Sequence, residues 1–326
     1  MRILISDFSN VMLSDYRLTT DAIISILPEA QVQVLPYADN DAYYAELAKA
    51  DGLITAFLPL DAAFFSRAKR LRCVSINAVG YDSVDLQAAK QHGVIICHIK
   101  DYCTDEVAEH TMALLLALNR NLKYYTEQID REFRWQYRTI PGGRPLGKQT
   151  LAVFGFGSIG RKVSVFARGF GMKVLAVSPN LTAEDAACCD VRAVTAQEAF
   201  AQADVISNHM NLTADNVHFF NSAAFAQMKR APLFLNVGRG ACVDEAALAE
   251  ALDSGKIRGA GLDVLAEEEP HLAGHPLVGR DHVLITPHSA FYSQDSLEKL
   301  QTVSGRNLAY CLNELPEKAQ KVVAGM

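Results

Sequence analysis

Short apolar runs alternate with amphipathic stretches along most of this 326-residue chain, and this alternation restricts the fold more than any other feature. Such a rhythm predicts repeated strand–helix units whose strands pair in parallel, because each helix returns the chain to the same edge of the sheet. The predicted strands of a first series are residues 2–7, 31–36, 52–57, 73–78 and 94–99. Those of a second series are residues 151–154, 173–178, 204–209, 233–237, 259–264 and 282–286. Two parallel sheets are therefore expected.

The segment between the two series predicts a long helix followed by a loop. Residues 105–129 have a helical apolar period, with Thr104 and Asp105 as capping candidates. Residues 137–148 contain two prolines and three glycines, which interrupt both helical and strand periodicity. A last helix, residues 293–313, precedes a charged tail that cannot form a domain alone, so we expect it to pack on the first domain and make that domain discontinuous.

Composition excludes several classes of function. The chain is 50% hydrophobic, which supports a globular α/β protein with more than one core. A formal charge of -6 argues against nucleic acid as a partner. The longest apolar run, 112–118, is too short to span a membrane, and a cytoplasmic location is expected. Seven cysteines without C-x-x-C spacing predict reduced thiols and no metal site.

A glycine-rich loop lies between the strand 151–154 and a helix predicted at 161–170. Glycine at the first position permits the tight turn, at the second it lets a pyrophosphate approach the backbone, and at the third it lets helix and strand pack closely. The free N–H groups of the helix N-terminus favour an anion. The six residues of the loop are Gly155, Phe156, Gly157, Ser158, Ile159 and Gly160. They predict a dinucleotide site, whereas the alternative is a tight turn without a ligand.

Ser178 occupies the position, at the end of the next strand, where an acidic residue usually contacts the adenosine ribose. Without a carboxylate there, nothing repels a 2′-phosphate, and NADP becomes admissible. No arginine directly follows Ser178 to hold that phosphate. The predicted cofactor is therefore NAD or NADP.

Three polar side chains follow neighbouring strands of the second series. Arg239 is in the segment Asn-Val-Gly-Arg-Gly that begins at 236, Glu268 follows the strand that ends near Asp263, and His288 follows the last strand. The carboxyl ends of parallel strands lie at one edge of a sheet, where open α/β sheets bind their ligands. An arginine, a glutamate and a histidine are thus expected to converge.

Together with the glycine loop, these segments resemble the D-isomer-specific 2-hydroxyacid dehydrogenase family, over the chain from Arg2 to about Asn313. Tyr102, Phe291 and Tyr292 resemble positions of the D-lactate dehydrogenase branch and of the pocket region of the carboxy-terminal-binding-protein branch. The resemblance implies two Rossmann-like domains with parallel sheets. A flavodoxin-like substrate domain is expected at 1–100 plus 288–326, and an NAD(P)-binding Rossmann domain at 101–287.

The resemblance also implies the role of each catalytic residue. Arg239 would clamp the substrate carboxylate and carbonyl oxygen, a two-pronged task suited to a guanidinium group. His288 would be the general acid and base, and Glu268 would orient it and favour its protonated form. The family places proline directly after this glutamate, whereas here Pro270 follows Glu269. Glu268 is preferred because the strand around Asp263 is the more rigid reference, and Glu269 stays open.

Substrate and cofactor contacts are implied in the same way. The backbone N–H groups of Val79 and Gly80 would receive the substrate carboxylate, and Tyr102, Phe291 and Tyr292 would form an aromatic wall. Trp135 is expected to pack in the core. Asn211 departs from the family, which has proline there. Further cofactor contacts are expected from His209, Val237, Gly238, Arg239, Asp263 and His288.

The predicted function is an NAD(P)-dependent D-2-hydroxyacid dehydrogenase that transfers hydride between the cofactor and a small 2-keto or 2-hydroxy acid. One alternative is a nucleotide-sensing interaction protein that resembles the corepressor branch and has little turnover. A phosphite- or formate-oxidising relative is a weaker alternative, because formate oxidation requires no proton donor of the Glu-His type. The resemblance implies a homodimer through the dinucleotide domain, with the helix from Asp105 either at that contact or packed within its own chain.

Overall fold

A computed structural model describes residues 1–325. The chain forms two compact units: unit 1 comprises Met1–Tyr102 and the chain from Ser293 onward, and unit 2 is Cys103–Tyr292. The strands of the described residues are β1 (Arg2–Ile5), β2 (Gln31–Val34), β3 (Gly52–Thr55), β4 (Cys73–Ile76), β5 (Ile95–His98), β6 (Thr150–Phe154), β7 (Lys173–Val177), β8 (Arg192–Ala193), β9 (Val205–Asn208), β10 (Leu233–Asn236), β11 (Gly259–Leu262), β12 (Val283–Ile285) and β13 (Lys321–Ala324). The α-helices are α1 (Arg17–Ile24), α2 (Asp41–Leu47), α3 (Ala62–Arg67), α4 (Leu86–Gln91), α5 (Thr104–Asn119), α6 (Leu122–Glu132), α7 (Ser158–Gly169), α8 (Ala183–Cys188), α9 (Ala196–Gln202), α10 (Ser222–Ala226), α11 (Glu245–Asp253) and α12 (Gln294–Leu312).

Unit 1 contains a six-stranded sheet in the order β13-β5-β4-β3-β1-β2. Its first five strands in the sequence pair in parallel, and their order is that of flavodoxin-like sheets. The exception is β13, which pairs antiparallel with β5 at the edge of the sheet, with Val322 opposite Cys97. Strand β13 was not predicted from the sequence, because it has only four residues and lies in a charged tail where no apolar run marks it.

Helix α12 covers one face of the unit 1 sheet. Its buried side chains, including Leu308 and Leu312, pack with isoleucines of β1 and β3. The Ser304 backbone carbonyl accepts a hydrogen bond of 3.0 Å from the hydroxyl of Ser75 on β4. At Gly305 a Cβ atom would lie 2.7 Å from the Thr19 carbonyl oxygen, so only glycine lets α12 approach α1 this closely. The sheet and the C-terminal helix therefore share one core.

Unit 2 contains a seven-stranded parallel sheet in the order β12-β11-β10-β9-β6-β7-β8. The direction of winding reverses between β6 and β9, which is the topological switch point where Rossmann folds bind dinucleotides. Its core contains a set of edge-to-face aromatic contacts, such as Phe154 with Phe220 at 5.1 Å and Phe220 with Phe234 at 4.9 Å between ring centroids. The predicted fold class, an α/β protein with two parallel-dominated sheets, is confirmed.

The predicted helix 105–129 is wrong as a single element. Helix α5 ends at Asn119 and α6 begins at Leu122, because Asn121 between them has a left-handed φ of 54°. Asparagine tolerates this conformation better than other non-glycine residues, and it redirects the chain. The buried face of α5 packs on α7, β10 and β11 of its own chain. Its apolar stripe is thus satisfied within unit 2.

Within residues 1–325, the helices are all too short or too polar to cross a lipid bilayer.

Candidate active site

The glycine loop of unit 2 connects β6 to the N-terminus of α7. Gly155 has a φ of +87°, and a Cβ there would lie 2.7 Å from the backbone of His209. At Gly160 a Cβ would lie 2.2 Å from the Gly155 carbonyl oxygen, whereas at Gly157 it would meet nothing within 4 Å. Gly157 caps α7 without a side-chain hydrogen bond to the first backbone N–H groups. The loop therefore has the shape and the donors that a pyrophosphate requires.

Two buried asparagines, at the carboxyl ends of β9 and β10, shape the adjoining loops. The Asn208 amide donates to the Asn236 side-chain oxygen at 2.9 Å, and the Asn236 amide donates to the Arg239 carbonyl at 3.0 Å. Gly238 N–H donates to Asn236 at 3.2 Å, and Met210 N–H donates to Asn208 at 3.1 Å. This pair therefore fixes the turn that presents Arg239. Asn208 and Asn236 were not assigned a role from the sequence, although each ends a buried strand, which is the signal that could have revealed them.

His209 is held at the same edge, beside the glycine loop. Its Nε2 forms a 2.8 Å hydrogen bond with the hydroxyl of Ser207, and its buried Nδ1 has no partner within residues 1–325. Burial lowers the pKa of His209 to about 3, so its ring is neutral at physiological pH. A neutral ring with an unmatched nitrogen is suited to a hydrogen bond with an uncharged part of a ligand.

Asp263, at the carboxyl end of β11, is 2% exposed and organises the segment that contains His288. Its Oδ1 accepts from the Thr286 hydroxyl at 2.6 Å and from Ser289 N–H at 2.9 Å, while Oδ2 accepts from Ala290 N–H at 3.0 Å. His110 of α5 lies 3.5 Å from Oδ1, and its Nε2 is also hydrogen-bonded to the Thr286 hydroxyl at 2.9 Å. Both oxygens of the Asp263 carboxylate thus accept hydrogen bonds from residues 286–290.

The backbone of His288 is strained. Its φ of 49° lies in the left-handed region, where non-glycine residues cost about 1–3 kcal/mol. The hydrogen bond from His288 N–H to the Asp263 carbonyl, at 2.8 Å, contributes to holding it there, together with the loop contacts of the Asp263 carboxylate. Such strain persists only where the surrounding contacts determine the conformation, and it is concentrated at functional positions.

The side chain of His288 is paired with Glu268. A hydrogen bond of 2.7 Å joins His288 Nδ1 and Glu268 Oε2. Burial of Glu268 favours its neutral form, but the hydrogen bond from His288 and the positive charges of His288 and Arg239 outweigh it, so the pKa of Glu268 is lowered. The structure thus brings the three predicted side chains into one electrostatic group, in which Glu268 is hydrogen-bonded to His288 Nδ1.

Other predicted residues lie around this group or in unit 1. Phe291 packs edge-to-face against His288 with ring centroids 6.3 Å apart, and Tyr292 is 67% exposed. Ser178 is half-buried directly after β7. In unit 1, Val79 and Gly80 form part of the loop after β4, Val79 is 37% exposed, and Tyr102 is buried. The prediction that Trp135 packs in the core is wrong, because its side chain is 91% exposed.

Comparison with known proteins identifies the family. Residues 112–290 match the family model described as D-isomer specific 2-hydroxyacid dehydrogenase, NAD binding domain. A D-lactate dehydrogenase of Streptococcus agalactiae is 33% identical over 269 residues, which are 77% of this chain and 80% of that protein. The chain belongs to this family. The family prediction made from the glycine loop and the Arg-Glu-His order is thereby confirmed, and so is the oxidoreductase class, dehydrogenases acting on CH–OH groups.

Further relatives of this dehydrogenase family define how far the likeness extends. D-3-phosphoglycerate dehydrogenase 2 of Arabidopsis thaliana is 35% identical over 283 residues, but the matched region is only 45% of that longer protein. The crystal structure of D-lactate dehydrogenase from Aquifex aeolicus, complexed with NAD and lactic acid, is similar with a TM-score of 0.87, 27% identity and 99% coverage of both chains. The fold is thus shared along the whole chain, and the relatives are named for several substrates.

Proposed function

We propose that this protein is an NAD(P)-dependent 2-hydroxyacid dehydrogenase in which His288 is the acid and base. The observation that carries the proposal is the 2.7 Å hydrogen bond between His288 Nδ1 and Glu268, formed by a residue with a strained backbone. The left-handed backbone of His288 is held by the buried carboxylate and carbonyl of Asp263, which fix where the ring lies. The named relatives, all dehydrogenases or reductases, favour this function over the nucleotide-sensing interaction protein.

We also propose which nitrogen of the His288 ring transfers the proton. Because Glu268 binds Nδ1, the opposite ring nitrogen, Nε2, is the atom that exchanges a proton with the substrate oxygen. The carboxylate of Glu268 stabilises the positive ring before the proton is donated to a keto acid. A bound nicotinamide supplies the hydride. Arg239, whose charge also acts on Glu268, binds the substrate carboxylate.

The residues that hold the dinucleotide are proposed from unit 2. The N-terminus of α7 and the loop from Gly155 to Gly160 bind the pyrophosphate, and Ser178 lies at the ribose end of β7. We assign further cofactor contacts to His209, Val237, Gly238, Arg239, Asp263 and His288. Asp263 acts mainly through the loop that it fixes, since both of its carboxylate oxygens accept hydrogen bonds from that loop. Val79, Gly80, Tyr102, Phe291 and Tyr292 stay predicted substrate contacts.

The experiment is a kinetic panel of purified protein with NADH and NADPH against pyruvate, glyoxylate, hydroxypyruvate and bulkier 2-keto acids. We expect loss of reduced-cofactor absorbance with at least one pair, and formation of the D isomer. His288→Gln should lower kcat by about 100-fold to 10,000-fold and should affect dinucleotide binding much less, because the glycine loop that binds the pyrophosphate is unchanged. A chain that binds dinucleotide but reduces none of these acids would contradict the proposal.

We propose that both NADH and NADPH are accepted, because Ser178 offers no negative charge to repel a 2′-phosphate. Ser178→Asp should lower kcat/KM for NADPH by about tenfold, through like-charge repulsion, and leave that for NADH within about twofold. Ser178→Asn is the matched control without charge. Equal losses with both cofactors, or a loss with Asn as large as with Asp, would contradict this proposal.

We also propose a homodimer, with the contact in the segment 120–143 of unit 2 rather than along α5. In this segment Phe133 and Trp135 are 90% and 91% exposed, and a groove of about 890 Å³ is lined by α6 and the chain that follows it. Light scattering should give twice the chain mass, and Phe133→Ser with Trp135→Ser should give the monomer. Val217→Ser, at an exposed apolar residue elsewhere in unit 2, is the control. A monomeric unsubstituted protein would contradict the proposal.

A further inference from the structure

Three cysteine thiols meet inside unit 1, far apart in the sequence. Cys73 is on β4, Cys97 is on β5 and Cys311 is on the last turn of α12. Their Sγ atoms all lie within 4.8 Å of one another, and those of Cys73 and Cys97 are 3.9 Å apart. We call these three side chains the thiol cluster. Neither the proposed reaction nor the family match involves it.

The position of each cysteine follows from the register of the sheet and the helix. Cys97 is opposite Ser75 in the β4–β5 pairing, so Cys73 and Cys97 point to the same face of the sheet in diagonal positions. Ser75 is hydrogen-bonded to Ser304 of α12, and Cys311 is two helical turns further along α12. The third thiol is therefore brought above the other two by the same packing that attaches α12 to the sheet.

The diagonal register disfavours a disulfide between the two strand cysteines. With strands about 4.8 Å apart and a rise of about 3.3 Å per residue, the Cα atoms of such a diagonal pair are roughly 8 Å apart. A disulfide requires Cα atoms closer than about 7 Å. The sulfur atoms nevertheless approach each other, so the geometry suits an atom held between them better than a direct bond.

The spacing fits a three-coordinate centre. In a pyramidal three-coordinate centre, bonds to sulfur of about 2.3 Å at angles of about 100° separate the ligand sulfurs by roughly 3.5 Å. The 3.9 Å between the Sγ atoms of Cys73 and Cys97 must then shorten by about 0.4 Å, and the remaining pairs, which lie within 4.8 Å, by at most about 1.3 Å. The cluster contains no fourth histidine, cysteine, aspartate or glutamate among the described residues, which disfavours Zn²⁺, since it takes four ligands.

Burial decides which three-coordinate species the cluster can bind. Cys73 and Cys97 are 0% exposed and Cys311 is 3% exposed, within a core of isoleucine and leucine side chains. Three thiolates around a monovalent or divalent ion would leave net negative charge in this apolar core, which is costly. Trivalent arsenic with three thiolates is neutral and needs no further ligand.

We propose that Cys73, Cys97 and Cys311 form a binding site for a trivalent thiophilic species of the arsenite class. In the binding step three As–O bonds of uncharged As(OH)₃ and three S–H bonds break, three As–S bonds form, and three water molecules leave. Arsenic stays trivalent, and no charge enters the core.

The site is tested with arsenite as the probe, on the full chain in a phosphine reductant that cannot itself chelate arsenic. Cys188 and Cys189 are adjacent and less buried, so both are first changed to serine to remove a competing dithiol. We expect one arsenic per chain by native mass spectrometry, three sulfur neighbours by arsenic X-ray absorption, and a raised Tm because arsenic binds the folded state. Cys311→Ala in this background should weaken binding at least tenfold.

Cys242→Ala is the matched control, since Cys242 is also fully buried but lies in unit 2. It should keep the single arsenic and the rise in Tm. The proposal is overturned if the background protein binds no arsenic, if Cys311→Ala binds it equally well, or if the absorption spectrum shows fewer than three sulfurs. If Cys311→Ala does not fold, the sulfur count of the background protein decides alone.

Discussion

Two buried aspartates, at opposite edges of the unit 2 sheet, act on the chain in different ways. Asp204 precedes β9 at the amino edge, and Asp263 follows β11 at the carboxyl edge, and they are 4% and 2% exposed. Asp204 binds Arg144 at 2.9 Å, Arg230 at 3.3 Å and Thr150 N–H at 2.9 Å. Asp263 accepts instead from backbone and hydroxyl groups of the loop that contains His288.

The difference between them lies in what each carboxylate holds. Asp204 lies at the amino ends of the strands and pairs with two arginines that remain in contact with solvent. Their side chains are 61% and 48% exposed. The Asp263 partners hold a left-handed residue and lie at the same edge of the sheet as His209, whose Nδ1 has no hydrogen-bond partner among residues 1–325. One edge therefore satisfies its buried polar groups for stability, and the other keeps strain and an open hydrogen-bonding position for a ligand.

The largest effect is expected from Asp263→Asn. The amide cannot accept at both positions, so the segment 286–290 loses a partner and His288 moves. A displacement of about 1 Å at a reacting group costs about 100-fold in kcat. Steady-state kinetics check this, with circular dichroism as the control for folding. An Asp263→Asn enzyme with an unchanged kcat would remove the contrast between the two edges.

Asp204→Asn should have the converse effect. Loss of a buried, multiply bonded carboxylate should lower the free energy of unfolding by about 1–3 kcal/mol, near the lower end because the two arginines can hydrate. The kcat of the folded enzyme should stay within about twofold. Urea unfolding followed by fluorescence measures the first quantity. A kcat loss comparable to that of Asp263→Asn would show that the two edges are coupled.

His110→Ala tests whether support for the catalytic loop reaches α5. Removal of the ring leaves the Thr286 hydroxyl and Asp263 without one partner each. We expect kcat to fall by about tenfold, the equivalent of roughly 1.4 kcal/mol, with KM for the keto acid less affected. His110→Gln, which can still hydrogen-bond to Thr286, should recover part of the rate. An unchanged rate in the alanine variant would limit the loop's support to Asp263.

The smallest effect concerns the pH dependence. The lowered pKa of Glu268 keeps its carboxylate ionised from neutral pH down through the ordinary value of 4.5, and its stabilising charge is lost only below that. Glu268→Gln removes the charge that favours the protonated ring of His288. For keto acid reduction, the alkaline limb of the pH–rate profile should then move to lower pH than in the unsubstituted enzyme. An alkaline limb that does not move would contradict the pairing, and Glu267→Gln, at an exposed glutamate next to Glu268, is the control.

Much of the candidate site could be predicted because it depends on local patterns. The strand before Gly155 and the helix that begins at Ser158 together give the glycine loop its function. Parallel pairing then places Arg239, Glu268 and His288 at one edge from strand order alone. The break at Asn121 could not be predicted in this way, because a single left-handed residue leaves the apolar period on either side intact.

The sequence by itself determined the two βα series, the glycine loop and the residues that end each strand, since periodicity and turn chemistry act over a few residues. Only the tertiary structure decided the contacts that depend on distant segments. These contacts include the hydrogen bond between Glu268 and His288 Nδ1 and the hydrogen bonds that Asp263 accepts from its loop. The left-handed conformation of His288 depends on them. The tertiary structure also brought together Cys73, Cys97 and Cys311, whose wide separation in the sequence has no local pattern. Side-chain convergence of this kind is set by sheet register and helix packing, which no short window of residues contains.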